Sequence, residues 1–359
     1  MLKNKPEIAD AHIHTRFADY PRTVKMLDDI RSAGVRDACI LSLPYRGAAE
    51  NLYALYVKHK YKKINVRAFG GLHVTDRYSL IDPKVQVQSV LELGCDGIKL
   101  MFSPDLQKYY GKGIDHPYYD EMFSFLEENN VPVNVHLADP EEFWQEGKQY
   151  ADASFPKKEE MYAQSFRMLD KHPKLRVCFA HFMFLSDFPD EAVRVMEKYK
   201  NVMFDLTPGV EMYFNFDKCL EFWNEFFEKY NSRLLFGTDS NSIKSVNIDL
   251  ENLVYRKLTK KGEFKEKVYG KEYTFKGLGL SEKTVSQICY GNYFEFLGKE
   301  PKELNVEKFR LCCKKIIDDL DKETCDDCYI KGCSLISHLG EDPEQRIAYN
   351  FCKKALAEI

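Results

Sequence analysis

The chain has 359 residues, 44% of them hydrophobic and 30% charged, with a formal net charge of -4. That balance leaves no basic footprint for nucleic acid, and no run of about eighteen apolar residues exists to span a bilayer, so neither partner is expected. The opening MLKNKP has no apolar core and does not read as a signal peptide; a cytoplasmic protein is expected, whose 11 cysteines are reduced thiols or metal ligands rather than disulfides.

Apolar runs bounded by turn residues mark eight candidate strands: 8–14, 37–43, 66–73, 97–102, 132–137, 176–182, 202–206 and 234–238. Most are near-continuous apolar runs, as parallel strands covered on both faces require. Amphipathic stretches lie between them. Tyr119, Met122, Phe123 and Leu126 recur at helical spacing, and Glu127-Glu128-Asn129-Asn130 closes that helix; residues 161–169 and 192–199 read the same way. Eight βα units in roughly the first 240 residues predict an α/β fold, the (β/α)8 barrel. The competing doubly wound sheet usually carries a Gly-rich turn after its first strand, where this chain has His12 and His14.

After the eighth strand, residues 251–280 look like a hairpin around Gly270, an excursion on the face where barrels keep their active sites and so a candidate lid. A helix then runs from about Ser281 to near Gly298. The expected division is a barrel over 1–299 and a helical, Cys-rich appendage over 300–359; a homodimer is expected, with the appendage as its candidate interface.

Candidate chemistry gathers at the strand ends. In EIADAHIH, a strand would point His12 and His14 the same way, close enough to grip one ion, although a chance pair on an exposed strand end gives the same letters. Strand five ends in His136, strand six in His181 and strand eight in Asp239. Three imidazoles and a carboxylate suit a divalent ion, zinc first and manganese or iron as alternatives, with a position left for water.

The opening Asp-x-His-x-His, the two later histidines and the Asp ending strand eight resemble the amidohydrolase superfamily of metal-dependent barrels. The segments GIKL (97–100), FGTDS (236–240) and ICYGNYFEFLG (288–298) resemble its amidohydrolase-2 branch, which includes aminocarboxymuconate-semialdehyde decarboxylase. The resemblance covers about residues 7–298. It implies that His12, His14 and His136 bind the metal and that Asp239 is a further ligand or the proton acceptor. His181 would orient water, polarise the substrate or hold a second ion. The expected activity is hydrolysis of a C–N or C–O bond in a small organic molecule by metal-activated water, with nonoxidative decarboxylation as the alternative. A non-catalytic barrel with a metal- or partner-binding tail is the third reading.

Lys99, in strand four, is read as a bridging carbamate, a cation for a substrate carboxylate or a salt-bridged interior lysine, with a single-ion site preferred. Arg46, His73, Asp205 and Trp144 are further candidates for substrate contact; surface, structural or helix-capping roles compete for each. In the tail, Cys325, Cys328 and Cys333 form C-x2-C-x4-C, a spacing that holds structural zinc or an iron–sulfur cluster, or else simply clusters free thiols.

Overall fold

The computed structural model describes residues 7–15, 18–44, 49–74, 77–242, 247–321 and 345–359. Strands β1 (Ile8–His14), β2 (Val35–Leu41), β3 (Asn65–Gly71), β4 (Gly97–Met101), β5 (Val133–His136), β6 (Val177–Phe179), β7 (Val202–Asp205), β8 (Leu234–Leu235) and β9 (Ser240–Asn241) form one sheet. Their order is β8-β7-β6-β5-β4-β3-β2-β1-β9, and neighbours pair in parallel. The short β8 begins where the eighth strand is expected, and β9 follows just beyond its expected end. Between them, Ala11 N–H donates to the Phe236 carbonyl at 2.9 Å and Asp239 N–H to the His12 carbonyl at 2.9 Å, so the first strand lies along the last. The result is a TIM-barrel-like α/β fold.

Helices α1 (Tyr20–Ser32), α2 (Glu50–Lys60), α3 (Pro83–Glu92), α4 (Pro104–Tyr110), α5 (Asp120–Glu128), α6 (Lys158–Lys171), α7 (Pro189–Lys198), α8 (Val210–Lys218), α9 (Leu220–Lys229) and α10 (Asn247–Thr259) follow the strands. Proline opens α3, α4 and α7, where its fixed φ suits the first turn and its missing N–H costs nothing; the Asp82 carboxylate also accepts from the N–H groups of Lys84 and Val85. The stripe read for α5 is buried, with Met122, Phe123 and Leu126 each at most 1% exposed.

Two layers of side chains result. Ile98, Leu100, Val133, Val135, Val177, Phe179, Val202 and Phe204 face the helices. The alternate residues Ala9, Ala11, Cys39, Leu41, Phe69, Cys178, Met203 and Leu235 fill the barrel interior. β1 breaks its alternation: its register with β2 shifts between Asp10 and Ile13. Ala9 and Ala11 face inward, but so do His12 and His14 one residue later, while Ile13 joins the outer layer and Asp10 bonds Thr238.

Several expected strands end early. β2 stops at Leu41, and β3 stops at Gly71, so His73 lies beyond its strand. β6 stops at Phe179 because the chain turns left-handed at His181.

Residues 251–280 divide into the end of α10 and a hairpin, β10 (Lys261–Val268) and β11 (Lys271–Leu278). Tyr269 and Gly270, both at positive φ, make the two-residue turn. The hairpin leans on the helix layer: Phe275 stacks on Phe214, and Lys257 binds Asp217 and the Lys276 carbonyl. Next come α11 (Glu282–Ser286), a π-turn over Gln287–Gly291, α12 (Asn292–Leu297) and α13 (Val306–Asp321). The last helix, Gln345–Glu358, packs on α13 and sets Phe351 edge-on against Tyr53 and Tyr56 of α2. Among the described residues no helix is long and apolar enough to cross a membrane.

Candidate active site

The inward turn of β1 delivers two imidazoles whose far nitrogens are already spoken for. His12 Nδ1 lies 2.8 Å from Asp205 Oδ2, and His14 Nδ1 lies 2.7 Å from the Leu41 carbonyl. A carboxylate and a carbonyl only accept, so these partners assign the hydrogen of each ring to Nδ1 and leave Nε2 with its lone pair. The two Nε2 atoms are 3.0 Å apart, and Asp239 Oδ1 stands 3.3 Å from that of His14.

Two lone pairs and a carboxylate facing one another repel unless a cation stands between them. Tetrahedral zinc with bonds of about 2.0–2.1 Å would hold two nitrogens roughly 3.3 Å apart, so the pair needs to open by only a few tenths of an ångström. The three ligand atoms lie within 4.8 Å of one another, the arrangement that fits a divalent ion.

Asp205 is the hub behind this group. It is fully buried at the end of β7. Its Oδ2 also accepts from Asn134 Nδ2 at 3.1 Å, and its Oδ1 from the N–H groups of His181 at 2.8 Å and Thr207 at 3.2 Å. Burial alone would raise its pKa, but the His12 and His181 rings and Thr207 outweigh that and hold it well below the ordinary carboxylate range. It stands behind His12, fully buried, with Oδ2 on the His12 ring. Burial draws the His12 ring down to about 4 against the pull of Asp205. Gly237 leaves the necessary room, since a Cβ there would meet Thr207 Oγ1 at 2.8 Å and His12 Cβ at 3.1 Å.

The other two histidines adjoin the ligand group. The His181 ring is 5.5 Å from that of His12 and 5.1 Å from that of His136. His181 Nδ1 faces the Thr207 carbonyl at 3.3 Å, and burial, with His136 and His12 beside it, pushes the ring down to about 3. His136, expected as the third nitrogen ligand, stands beside the ligand group; its Nε2 is 3.5 Å from Asp139 Oδ1. Phe184 lies over His181 at 5.1 Å and 30° and meets His136 at 5.7 Å, an aromatic wall along this side.

Lys99 points into the barrel and is 2% exposed, with Nζ 2.6 Å from Asn134 Oδ1; burial lowers its pKa to about 8. Trp144 donates Nε1–H to the Pro156 carbonyl at 3.0 Å and packs against Tyr150. His73 sits apart from the four histidines: its N–H bonds Gln86, its ring meets Tyr78, and it lines a cavity of about 270 Å³ against α13. Arg46 and the cysteines 325, 328 and 333 lie outside the described residues.

Sequence reasoning passed over Asn134, Thr207, Asp139 and Phe184. Asn134 carried a usable signal, because it precedes His136 by two in a strand and so shares its face. Thr207, Asp139 and Phe184 lie in turns after strands, where no periodicity points to them.

The amidohydrolase family model Amidohydro_2 matches residues 45–298, and the chain belongs to that family. No curated protein matches it in sequence. Solved structures share its fold at low identity. An uncharacterised TIM-barrel protein from Bordetella bronchiseptica is 15% identical, with 81% of this chain and 98% of that chain covered and a TM-score of 0.53. A dihydroxybenzoic acid decarboxylase from a Polaromonas species, solved with manganese and the inhibitor 2-nitroresorcinol, is 14% identical over 82% and 97% of the two chains, with a TM-score of 0.50. The 4-oxalomesaconate hydratase of Rhodopseudomonas palustris is 13% identical over 78% and 82%, with a TM-score of 0.51.

Proposed function

We propose, from membership of this family and the side chains gathered at the strand ends, that the protein is a metal-dependent nonoxidative decarboxylase of a small aromatic or unsaturated carboxylic acid. The observation that carries the reading is the juxtaposition of the His12–His14–Asp239 ligand group with the stacked His181 and Phe184 rings, against which His136 stands edge-on. A divalent ion held by the three ligands would draw charge from a substrate carboxylate and a neighbouring oxygen.

This chain's own residues do the rest. Asp205 and the Leu41 carbonyl hold both imidazoles in the tautomer that presents Nε2. His181, neutral near pH 7 and with Nδ1 committed to Thr207, offers its other nitrogen as an acceptor. Phe184 gives a planar substrate a face and excludes water from that side. Asp239, whose side chain is 27% exposed, would hold the proton that replaces carbon dioxide on carbon, so that a carboxylate and one proton become a C–H bond and CO2.

The Polaromonas decarboxylase and the hydratase of like fold support carbon–carbon and carbon–oxygen chemistry at such a site over hydrolysis. Protein loaded with Mn2+ or Zn2+ and offered a panel of hydroxybenzoic and unsaturated dicarboxylic acids in D2O is expected to release CO2 and leave deuterium at the vacated carbon, and His12→Ala is expected to do neither. Turnover of amides or lactones with 18O taken from water, and no CO2 from any acid, would replace this reading with hydrolysis.

A further inference from the structure

Behind the aromatic wall the backbone does something unusual. His181, Phe182, Met183 and Phe184 have φ of 54°, 57°, 53° and 54°, and none is glycine. For an L-residue the left-handed region costs about 1–2 kcal/mol, and runs of it persist only where the surroundings impose them. The surroundings here can be named. At the start of the turn, His181 N–H is held by Asp205 Oδ1 at 2.8 Å. In its middle, the Phe182 ring is driven outward into the helix layer among Phe204, Phe216, Trp223 and Phe227. At its far end, the Tyr162 hydroxyl of α6 reaches the carbonyls of Met183 at 3.1 Å and Phe184 at 3.2 Å.

We propose that Tyr162 is a positioning residue for the reaction: its hydroxyl clamps the end of the left-handed turn and thereby sets where the His181 and Phe184 rings stand beside the metal-ligand group. The hydroxyl has a single hydrogen to share between two carbonyls that the reversed backbone turns toward α6. One helical turn earlier, Lys158 places its ammonium 5.9 Å from the Phe184 ring and 6.0 Å from that of Tyr162, so the same face of α6 meets the turn twice. The stacked His181 and Phe184 rings move as a pair when the clamp is released. Tyr162 acts through the backbone and not on substrate.

Kinetically this rests on the decarboxylase reading, so the test has an arm that does not. Tyr162→Phe removes one oxygen. Its crystal structure is expected to show Met183 or Phe184 relaxed to negative φ and the His181 ring displaced, with metal content as in wild type. On whichever acid the wild type decarboxylates, kcat is expected to fall about tenfold while KM changes less than threefold. Adding Met183→Gly to Tyr162→Phe is expected to lower the melting temperature further, through lost packing, yet raise kcat, because glycine takes positive φ without steric cost. A merely structural tyrosine would not separate activity from stability in that way. The proposal is overturned by a Phe variant whose turn keeps its positive φ, by kcat within twofold of wild type, by a double variant with no gain in kcat, or by failure of the Phe variant to fold. If the wild type decarboxylates nothing, the functional reading falls and the crystallographic arm alone decides the clamp.

Discussion

Asp205→Asn tests the hub of the site. The carboxylate takes two donors on each oxygen: the His12 ring and Asn134 on Oδ2, and the N–H groups of His181 and Thr207 on Oδ1. An asparagine keeps one oxygen and replaces the other with an NH2 that itself donates. Turned one way, it leaves the N–H groups of His181 and Thr207 without their acceptor; turned the other way, it leaves Asn134 without one and forces the His12 ring to move its hydrogen. At about 1–3 kcal/mol for each unsatisfied group, the apo fold should lose roughly 1–6 kcal/mol. If the NH2 faces His12, Nδ1 becomes the acceptor and the ring hydrogen moves to Nε2, where it blocks the metal ligand. Loss of such an orienting partner typically weakens metal binding about 10- to 100-fold. Chelator competition with Zn2+ or Mn2+ measures the affinity, and urea unfolding in EDTA measures the apo stability. Affinity within threefold of wild type together with an apo stability loss below about 1 kcal/mol would refute the assignment of Asp205 as the group that orients His12.

His12→Ala or His14→Ala should each abolish stoichiometric metal, measured by elemental analysis after dialysis, since the ligand group would fall to two. Because burial lowers the His12 ring to about 4, its folded pKa lies below the unfolded value of about 6.5; the unfolded chain binds the extra proton, so apo stability falls as pH drops from about 6.5 toward 4, by up to roughly 3 kcal/mol from this ring alone. Urea unfolding in chelator across that range should show a flatter slope in His12→Gln. Lys99 has the same sign in a higher window: with a folded pKa of about 8 against about 10.4 unfolded, it makes stability rise from pH 8 to 10, and Lys99→Met should remove that rise. Phe351→Ala, which empties the contact with Tyr53 and Tyr56, should cost about 3–5 kcal/mol and expose α2 to hydrogen exchange.

How much of this could be read from letters alone depends on whether the deciding contact is local. The near-continuous apolar runs of residues 97–102 and 132–137 mark strands whatever their partners, and the hairpin announces itself through alternating apolar residues on either side of Tyr269-Gly270. The two histidines of β1 were legible as a pair, but not the register shift before them: strict alternation would put Asp10 on their face, whereas it bonds Thr238. The expectation for strand six runs too long because Ala180 and Phe182 are as apolar as a strand. The left-handed turn that buries them in the helix layer has no glycine to signal it. Asp205 showed only as a carboxylate after an apolar run. Its true partner, His12, is 193 positions away, and no local pattern reports such a distance. The position of His73 is not legible for a similar reason, since its strand ends two residues sooner and sets it against the cavity beside α13.

The eighth strand is interrupted at Asp239, which stands at φ 55° between β8 and β9, while β9 pairs with the end of β1. An ion gripped by His12, His14 and Asp239 would therefore act as a buckle, fastening the first turn of the belt to the last. Occupying the centre and closing the ring become one event. Proteases and heat should then find the emptied molecule weakest along that join, however well the remaining wall is packed.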